Sequence, residues 1–125
     1  MNRLVITMGD PCGVGPEIIV KFFDGIYKVE DKRLFLVVVG SKSVLEYYEK
    51  KLRIDLEIVE ITKAHIVDGK LENGKLHLIN IDTDIDKLEF GKHTELGGAL
   101  SIKYLDKAIE LLKEDWDLFV ISFHS

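Results

Sequence analysis

The stretch with the most chemical potential lies near the N-terminus, where residues 7–17 read TMGDPCGVGPE. Glycines let a backbone approach a ligand closely, and the start of a helix offers unpaired N–H donors, so a phosphate cradle is one interpretation. Two details oppose it: the segment lacks the Gly-Lys-Ser/Thr ending of a Walker loop, and Ile18 stands where a dinucleotide fingerprint needs its third glycine. Asp10 and Glu17 would also repel an anion. On spacing alone the better interpretation is a tight strand-to-helix turn, and a small phosphate-binding domain is the disfavoured alternative.

The 4 histidines show no helical metal-ligand spacing, so the sequence predicts no complete metal site. His77 alternates with Leu76 and Leu78, which predicts a side chain on the polar face of a strand. In His93-Thr94-Glu95 the threonine is interpreted as a helix cap. His65 and His124 are isolated.

Two further groups of reactive side chains have simpler interpretations. Cys12 could be a reactive thiol near a helix start, but we expect it to be a packing residue. The aspartates at positions 82, 84 and 86 could bind a hard cation through alternating carboxylates. They lack the glycine and downstream glutamate of an EF-hand, so we expect a solvated loop.

The elements in the first half of the chain are well marked. Leu4–Thr7 predicts a strand, and Pro16 opens a helix that runs to about Phe23 and stops at Gly25. The unbroken apolar run at residues 34–39 predicts a central strand covered on both faces. Ser41 then predicts the N-cap of a helix over residues 42–52.

The second half is less regular. Residues 56–61 alternate like a strand, and turn signals at 68–69 and 73–74 predict one or two short strands with hairpin turns within 64–81. Thr94 predicts the start of a helix that reaches about Glu114, and residues 118–121 predict a last buried strand. We expect a buried helix stripe and a wet lysine face on that helix, formed respectively by Leu105, Ala108, Ile109 and Leu112 and by Lys103, Lys107 and Lys113. Together these elements predict an α/β fold with a mostly parallel sheet and flanking helices.

Composition bounds the class of protein. The 125 residues fit one domain, and 46% hydrophobic residues can form a core. With 17 basic and 22 acidic side chains the net charge is −5, which argues against a general nucleic-acid surface. The single cysteine excludes an internal disulfide, and no apolar run reaches the length of a membrane span. We expect a cytoplasmic protein without membrane or nucleic-acid partners.

The string MGDPCGVGPE after an N-terminal strand resembles the opening of the 4-hydroxythreonine-4-phosphate dehydrogenase family of vitamin B6 biosynthesis. That family typically has Thr-Met-Gly-Asp-Pro-Ala-Gly-Ile-Gly-Pro-Glu there, so Cys12 and Val14 are small apolar departures. Residues 89–112 resemble the family's later glycine-containing helix, with Gly97, Gly98 and Tyr104 in register. The resemblance covers essentially the whole chain but only about the first third of a family member.

The resemblance implies an NAD-dependent oxidoreductase with an isocitrate/isopropylmalate-dehydrogenase-like fold, in which two domains enclose a cleft. It also implies a divalent metal and a phosphorylated hydroxy-amino-acid substrate, whose oxidation precedes decarboxylation. The positions that it assigns to cofactor contact are Asp10, Gly13, Val14 and Gly15; it assigns no catalytic residue and no metal ligand to this chain.

The family continues after the last strand with Thr-Ala-Pro-Ile-Asn-Lys, whereas this chain reads ISFHS at residues 121–125. We therefore expect the chain to be the N-terminal portion of a two-domain enzyme and to be inactive alone. A homo-oligomer is a possible assembly. The alternative is a non-catalytic α/β interaction module that assembles through an exposed sheet edge.

Overall fold

The computed structural model describes residues 2–25, 34–67, 72, 74–112 and 118–122. Strands and helices alternate along the chain, apart from one short 3₁₀ turn at Ile85–Lys87. The strands are β1 (Asn2–Thr7), β2 (Leu34–Gly40), β3 (Ile58–Glu60), β4 (Leu76–Asn80) and β5 (Leu118–Ser122). The helices are α1 (Gly15–Gly25), α2 (Lys42–Leu52), α3 (Lys63–Val67) and α4 (Glu95–Leu112).

The strands form one sheet in the order β3-β4-β2-β1-β5, and every pairing between them is parallel. This confirms the predicted α/β fold with flanking helices. Within residues 64–81, where one or two strands with hairpin turns are predicted, the described residues contain one strand, β4, and part of a helix, α3, which the sequence did not predict. The predicted antiparallel hairpin is wrong for β4, because it pairs in parallel with both of its neighbours, β3 and β2. Parallel neighbours need a crossover connection, and α3 supplies its helical part. Gly74 adopts φ 83° just before β4, while residues 68, 69 and 73 of the predicted turns lie outside the described residues.

β1 occupies the position in the sheet where the connections change direction. The chain passes from β1 to β2 on one side, and β5 later joins β1 on the other side. In open α/β sheets ligands bind outside the carboxyl ends of the strands at such a position. The loop after β1 therefore lies at the edge where a binding crevice is expected.

The core confirms β2 as the central strand. Its residues 35–40 are all buried, as the unbroken apolar run predicts. On α4, however, the buried face consists of Leu100, Tyr104, Ala108 and Leu111. Ala108 is buried as predicted, whereas the predicted burial of Leu105 and Ile109 is wrong, because Leu105 is half-buried and Ile109 is 41% exposed. The side chains of Leu112 and Lys113 lie outside the described part. The sheet contacts select a face one residue away from the one chosen by apolar spacing alone.

The starts of α2 and α4 differ in their capping. Thr94 caps α4 as predicted, because the Gly97 N–H donates to Thr94 Oγ1 at 3.0 Å. Ser41 occupies the N-cap position of α2 but forms no side-chain cap; its hydroxyl lies 3.0 Å from Ser43 Oγ. Asn80 Oδ1, at the end of β4, accepts from the Lys42 N–H at 2.9 Å instead. Within the described ranges, no helix has both the length and the apolar character needed to cross a membrane.

Candidate functional site

The loop between β1 and α1 is a closed turn built around Asp10. Its carboxylate accepts from the Cys12 N–H at 2.8 Å, and its backbone carbonyl accepts from the Gly13 N–H at 2.9 Å. Gly9 precedes the turn with φ 72°, a left-handed conformation that glycine adopts without strain. The first α1 hydrogen bond then runs from the Ile18 N–H to the Val14 carbonyl at 3.1 Å. The loop thus satisfies part of its own backbone rather than leaving it for a ligand.

Asp10 also packs against the first turn of α4. A Cβ atom added at Gly97 would collide with the carboxylate, lying only 3.0 Å from its Cγ. A negative charge at the start of a helix is stabilised by the partial positive charge of the unpaired N–H groups. Asp10 therefore joins the loop to α4, and Gly97 provides the space for that contact.

Cys12 is held from the other side by residues 90–92. The Gly91 N–H donates to the Cys12 carbonyl at 2.8 Å, and Gly91 has φ 84°. The Cys12 side chain is buried, and this burial raises the pKa of its thiol, with the Asp10 charge as the second cause. A buried thiol with a raised pKa fits the packing role that the sequence predicts.

Two buried hydroxyl groups lie without a hydrogen-bond partner among the described residues, those of Thr7 and Tyr104. Both side chains are completely buried. Burial raises the pKa of the Tyr104 phenol, and the nearby Asp10 and Cys12 add smaller contributions in the same direction. The inner side of the loop is therefore a packed polar region, not an open cleft.

The outer side of the loop faces a cavity of about 330 Å³. α1, α2 and the segment at residues 90–93 form the other walls. Phe90 stacks on Tyr47 at 4.2 Å between ring centroids and meets the Tyr48 ring edge-on at 5.9 Å. The lining residues are Cys12, Gly13, Val14, Glu17, Tyr48, Lys51, Phe90, Gly91, Lys92 and His93.

Basic side chains dominate the mouth of this cavity. Lys51, Lys92 and His93 are exposed, and the Lys51 ammonium lies 5.8 Å from the centre of the Tyr48 ring. The acidic group in the lining is Glu17, which also forms an ion pair with Lys21 at 3.8 Å. The cavity therefore combines an aromatic wall with a basic rim.

The four residues that the resemblance assigns to cofactor contact do not share one surface. Gly13 and Val14 line the cavity, and Val14 is 49% exposed. Asp10 faces α4 on the inner side, and Gly15 is buried at the start of α1. Sequence reasoning missed the opposite wall, including Tyr48, Lys51 and Phe90, because no local spacing connects those positions to the loop.

The remaining candidates are placed as follows. His77 is buried, so its predicted place on a polar face is wrong: β4 lies between β3 and β2, and its ring accepts from the Glu72 N–H at 2.9 Å. The aspartate string forms local hydrogen bonds, from Asn80 Nδ2 to Asp82 and from the Asp86 N–H to Asp84. Over the described residues no group of three or more His, Cys, Asp or Glu side chains could hold a metal ion. The described residues therefore do not by themselves provide a site for the divalent metal that the resemblance implies.

Comparisons of the sequence and the fold with known proteins show which class of enzymes the chain resembles. No protein-family model matches the chain. A solved structure described provisionally as a 4-hydroxythreonine-4-phosphate dehydrogenase, from Salmonella typhimurium, covers 98% of the chain with a TM-score of 0.78 and 28% sequence identity. The match takes in 37% of that structure.

Curated sequences give the same result. A protein of Fusobacterium nucleatum, provisionally named D-threonate 4-phosphate dehydrogenase, is 39% identical over 90% of the chain and 33% of its own length. A 4-hydroxythreonine-4-phosphate dehydrogenase of Sulfurihydrogenibium is 36% identical over 88% of the chain and 31% of its own length. The chain is thus related to the 4-hydroxythreonine-4-phosphate dehydrogenase family, as the opening motif predicts, and it spans about a third of the length of the curated relatives it matches.

Proposed function

We propose that this chain is the N-terminal portion of a cytoplasmic, two-domain, NAD-dependent dehydrogenase acting on a phosphorylated hydroxy acid. The observation that carries the proposal is the position of the glycine loop at the carboxyl end of β1, with β2 and β5 on either side. The dehydrogenase names of the relatives support the reaction class. We also propose that the complete protein has the isocitrate/isopropylmalate-dehydrogenase-like fold implied by the opening motif.

The substrate class rests on what the relatives' names share. One names D-threonate 4-phosphate and the other 4-hydroxythreonine-4-phosphate, and both compounds carry a phosphate and a hydroxyl group. We propose 4-hydroxythreonine-4-phosphate, because the loop resembles enzymes of vitamin B6 biosynthesis. Oxidation of the other compound at a higher rate by the full-length protein would reassign the substrate without changing the reaction class.

When bound, NAD supplies the hydride acceptor, while the protein supplies alignment. We propose that Gly13 and Val14 contact the cofactor at the cavity. Gly13 has no side chain and Val14 a small one, so the cofactor can approach the backbone closely. The Gly13 N–H already donates to the Asp10 carbonyl. The proposed contact therefore does not rely on this N–H to bind a phosphate. Asp10 would act by holding the turn in place, and Gly15 by starting α1.

A titration of the 125-residue chain with NAD, followed by amide chemical shifts, tests the contact. We expect saturable shifts at Gly13 and Val14, and weaker binding in Val14→Asp because a carboxylate there repels the pyrophosphate. Ile18→Asp is the matched control, since Ile18 is 41% exposed one turn further along α1 and does not line the cavity. Equal loss in both variants, or shifts confined to other residues, would contradict the proposal.

An activity assay tests the expectation that this chain is inactive alone. The pure chain is mixed with either phosphorylated substrate, NAD and a divalent metal, and NADH is followed by absorbance. We expect no metal-dependent NADH production, because the described residues provide no metal-ligand group. Measurable turnover would show that the chain holds a complete active site.

The sheet edge favours a second candidate function. β5 lies at one end of the strand order and pairs with β1 on its inner side. A strand at a sheet edge can pair with another chain, so the chain could act as an interaction module. Light scattering after size-exclusion chromatography tests this candidate. A stable oligomer that is lost when a β5 residue is replaced by proline supports it, and a clean monomer opposes it.

A further inference from the structure

Helix α4 carries two apolar faces, and only one of them packs on the sheet. The packed one is the buried face that contains Tyr104 and Ala108. The other is a row formed by Ile102, Leu105 and Ile109, at the i, i+3 and i+7 spacing that places side chains on one side of a helix. Ile102 is 62% exposed and Ile109 is 41% exposed, while Leu105 is half-buried. We call these three residues the outer row of α4.

The outer row points past the edge of the sheet that β5 forms. α4 connects β4 to β5 and contacts β5, β1 and β2. A crossover between parallel strands is right-handed in nearly all proteins, which fixes the face of the sheet that α4 covers. At about 100° per residue, the outer row is rotated roughly 140° from the buried face. Because α4 is right-handed and runs antiparallel to the strands, this rotation turns the row away from β2 and toward the β5 side.

The exposed apolar row and the outer edge of β5 therefore lie on the same side of the molecule. A single exposed isoleucine is common on protein surfaces and needs no explanation. A row of three apolar residues beside an edge strand is different, because a sheet grows at its edge by adding a strand whose helix packs beside the previous helix. This side of the fold offers both contacts at once.

The relatives supply an occupant for this side. The chain matches 33% of the Fusobacterium nucleatum protein and 37% of the Salmonella typhimurium structure, so about two thirds of each has no counterpart here. The match to the solved structure covers 98% of this chain, so the outer row belongs to the shared part of the fold. The unmatched part of those proteins is long enough to supply both a strand and a helix.

We propose that the outer row of α4 is a docking surface for the polypeptide that corresponds to the unmatched two thirds of the relatives. The docking element is an apolar helix beside α4, accompanied by a strand that pairs with β5. Asp106 is exposed between Ile102 and Ile109, one helical turn from each, so the docking helix carries a basic residue opposite it. The inference rests on the proposed function in taking the chain to be part of a longer protein, and it uses neither the cavity nor the cofactor.

A chimaera in which this chain replaces the matched third of the Fusobacterium nucleatum protein tests the proposal. Ile102→Cys and Ile109→Cys are introduced singly, and maleimide labelling is compared between the 125-residue chain and the chimaera. We expect both thiols to react at least about tenfold more slowly in the chimaera, because the docked helix must open before they are reached. Lys103→Cys is the matched control, since this exposed neighbour lies outside the row and should react equally in both proteins. The parent proteins give the background rate, to which the buried Cys12 belongs.

A charge variant provides a second measurement. Ile102→Glu/Ile109→Glu should change the stability of the 125-residue chain little, because both side chains are exposed there. In the chimaera the same variant should lower the melting temperature by at least about 5 °C, since two carboxylates would then be buried against an apolar helix. Lys103→Glu should lower it in neither protein.

The outcomes separate this docking surface from the proposed function. Equal labelling rates in the two proteins would overturn the docking surface, even if the chimaera oxidises 4-hydroxythreonine-4-phosphate with NAD. Slow, concentration-dependent labelling of the 125-residue chain would also overturn it, because a second copy would then cover the row. A chimaera that does not fold would count against matching surfaces. Slow labelling in a folded chimaera without dehydrogenase activity would support the docking surface and contradict the proposed function instead.

Discussion

The two sides of the glycine loop are built for different purposes. On the inner side, the Asp10 carboxylate accepts from the Cys12 N–H at 2.8 Å and lies against Gly97 of α4. On the outer side, Val14 is half-exposed and faces a cavity with charged groups at its mouth. We therefore expect substitutions on the inner side to destabilise the fold and substitutions on the outer side to have little effect on stability. The same short segment thus provides both a structural anchor and a candidate binding surface.

The largest expected effect tests the anchor at its tightest point. Gly97→Ala places a methyl group against the Asp10 carboxylate, and we expect a loss of about 2 kcal/mol in the free energy of unfolding, as for overpacking elsewhere. Gly98→Ala is the matched control, since an added Cβ meets nothing within 4 Å. It should stabilise the helix by about 0.5–1 kcal/mol. Urea denaturation measures both, and equal effects would show that Asp10 does not need the space.

A smaller effect tests the hydrogen bond inside the turn. Asp10→Ala leaves the Cys12 N–H without its side-chain acceptor, and we expect a loss of about 1.5 kcal/mol. Asp10→Asn keeps an acceptor oxygen and loses only the charge beside α4, so it should cost about 0.5 kcal/mol. Thermal or urea unfolding compares the variants. If asparagine is as damaging as alanine, the charge rather than the hydrogen bond holds the loop.

Two histidines differ in the same way: His77 is buried in the sheet, whereas His93 is exposed. Burial lowers the pKa of His77 in the folded state, so the unfolded chain binds more protons as the pH falls below about 6.5. Its contribution to stability is therefore complete above that pH and is lost on acidification, at no more than about 1.4 kcal/mol per pH unit.

Urea denaturation at pH 7.5, 6.5 and 5.5 measures this dependence. His77→Gln should reduce the loss between pH 6.5 and 5.5. His93→Gln, which removes an exposed histidine at the mouth of the cavity, is the control variant. An identical pH profile for the parent and His77→Gln would exclude His77 as a source of the acid sensitivity.

The smallest change in stability is expected on the outer side. Val14→Asp alters a side chain that is 49% exposed, so the free energy of unfolding should change by less than about 0.5 kcal/mol. Cofactor binding should nevertheless weaken, as proposed above. A large loss of stability in urea would show that Val14 belongs to the anchor and that the two sides of the loop are not separate.

The sequence predicted the loop well because its signals are local. Pro16 suits the first turn of a helix, and Thr94 can reach the Gly97 N–H three residues away. The apolar run of β2 needs no partner information to predict burial. Ser41 shows the limit of such reasoning: its position at the start of α2 is right, but the capping oxygen comes from Asn80 on another strand.

The candidate site could be predicted only in part. The motif predicted Gly13 and Val14 as site residues. Tyr48, Lys51 and Phe90 lie far along the chain, and no sequence signal connects them to the motif. Tyr48 and Phe90 are apolar residues of ordinary spacing, and Lys51 is one of many lysines. Their meeting depends on how α1, α2 and the 90–93 segment pack, which is a property of the folded chain.

By itself the sequence determined the order of the strands and of helices α1, α2 and α4, the tight turn after β1 and the family relationship, because each depends on residues close together along the chain; it did not predict α3. Tertiary structure decided the parallel pairing of β4, the burial of His77, the register of the buried face on α4 and the composition of the cavity. The reason is that burial and pairing depend on which surfaces meet across the sheet. The same apolar spacing in the sequence is compatible with more than one way of packing these surfaces together.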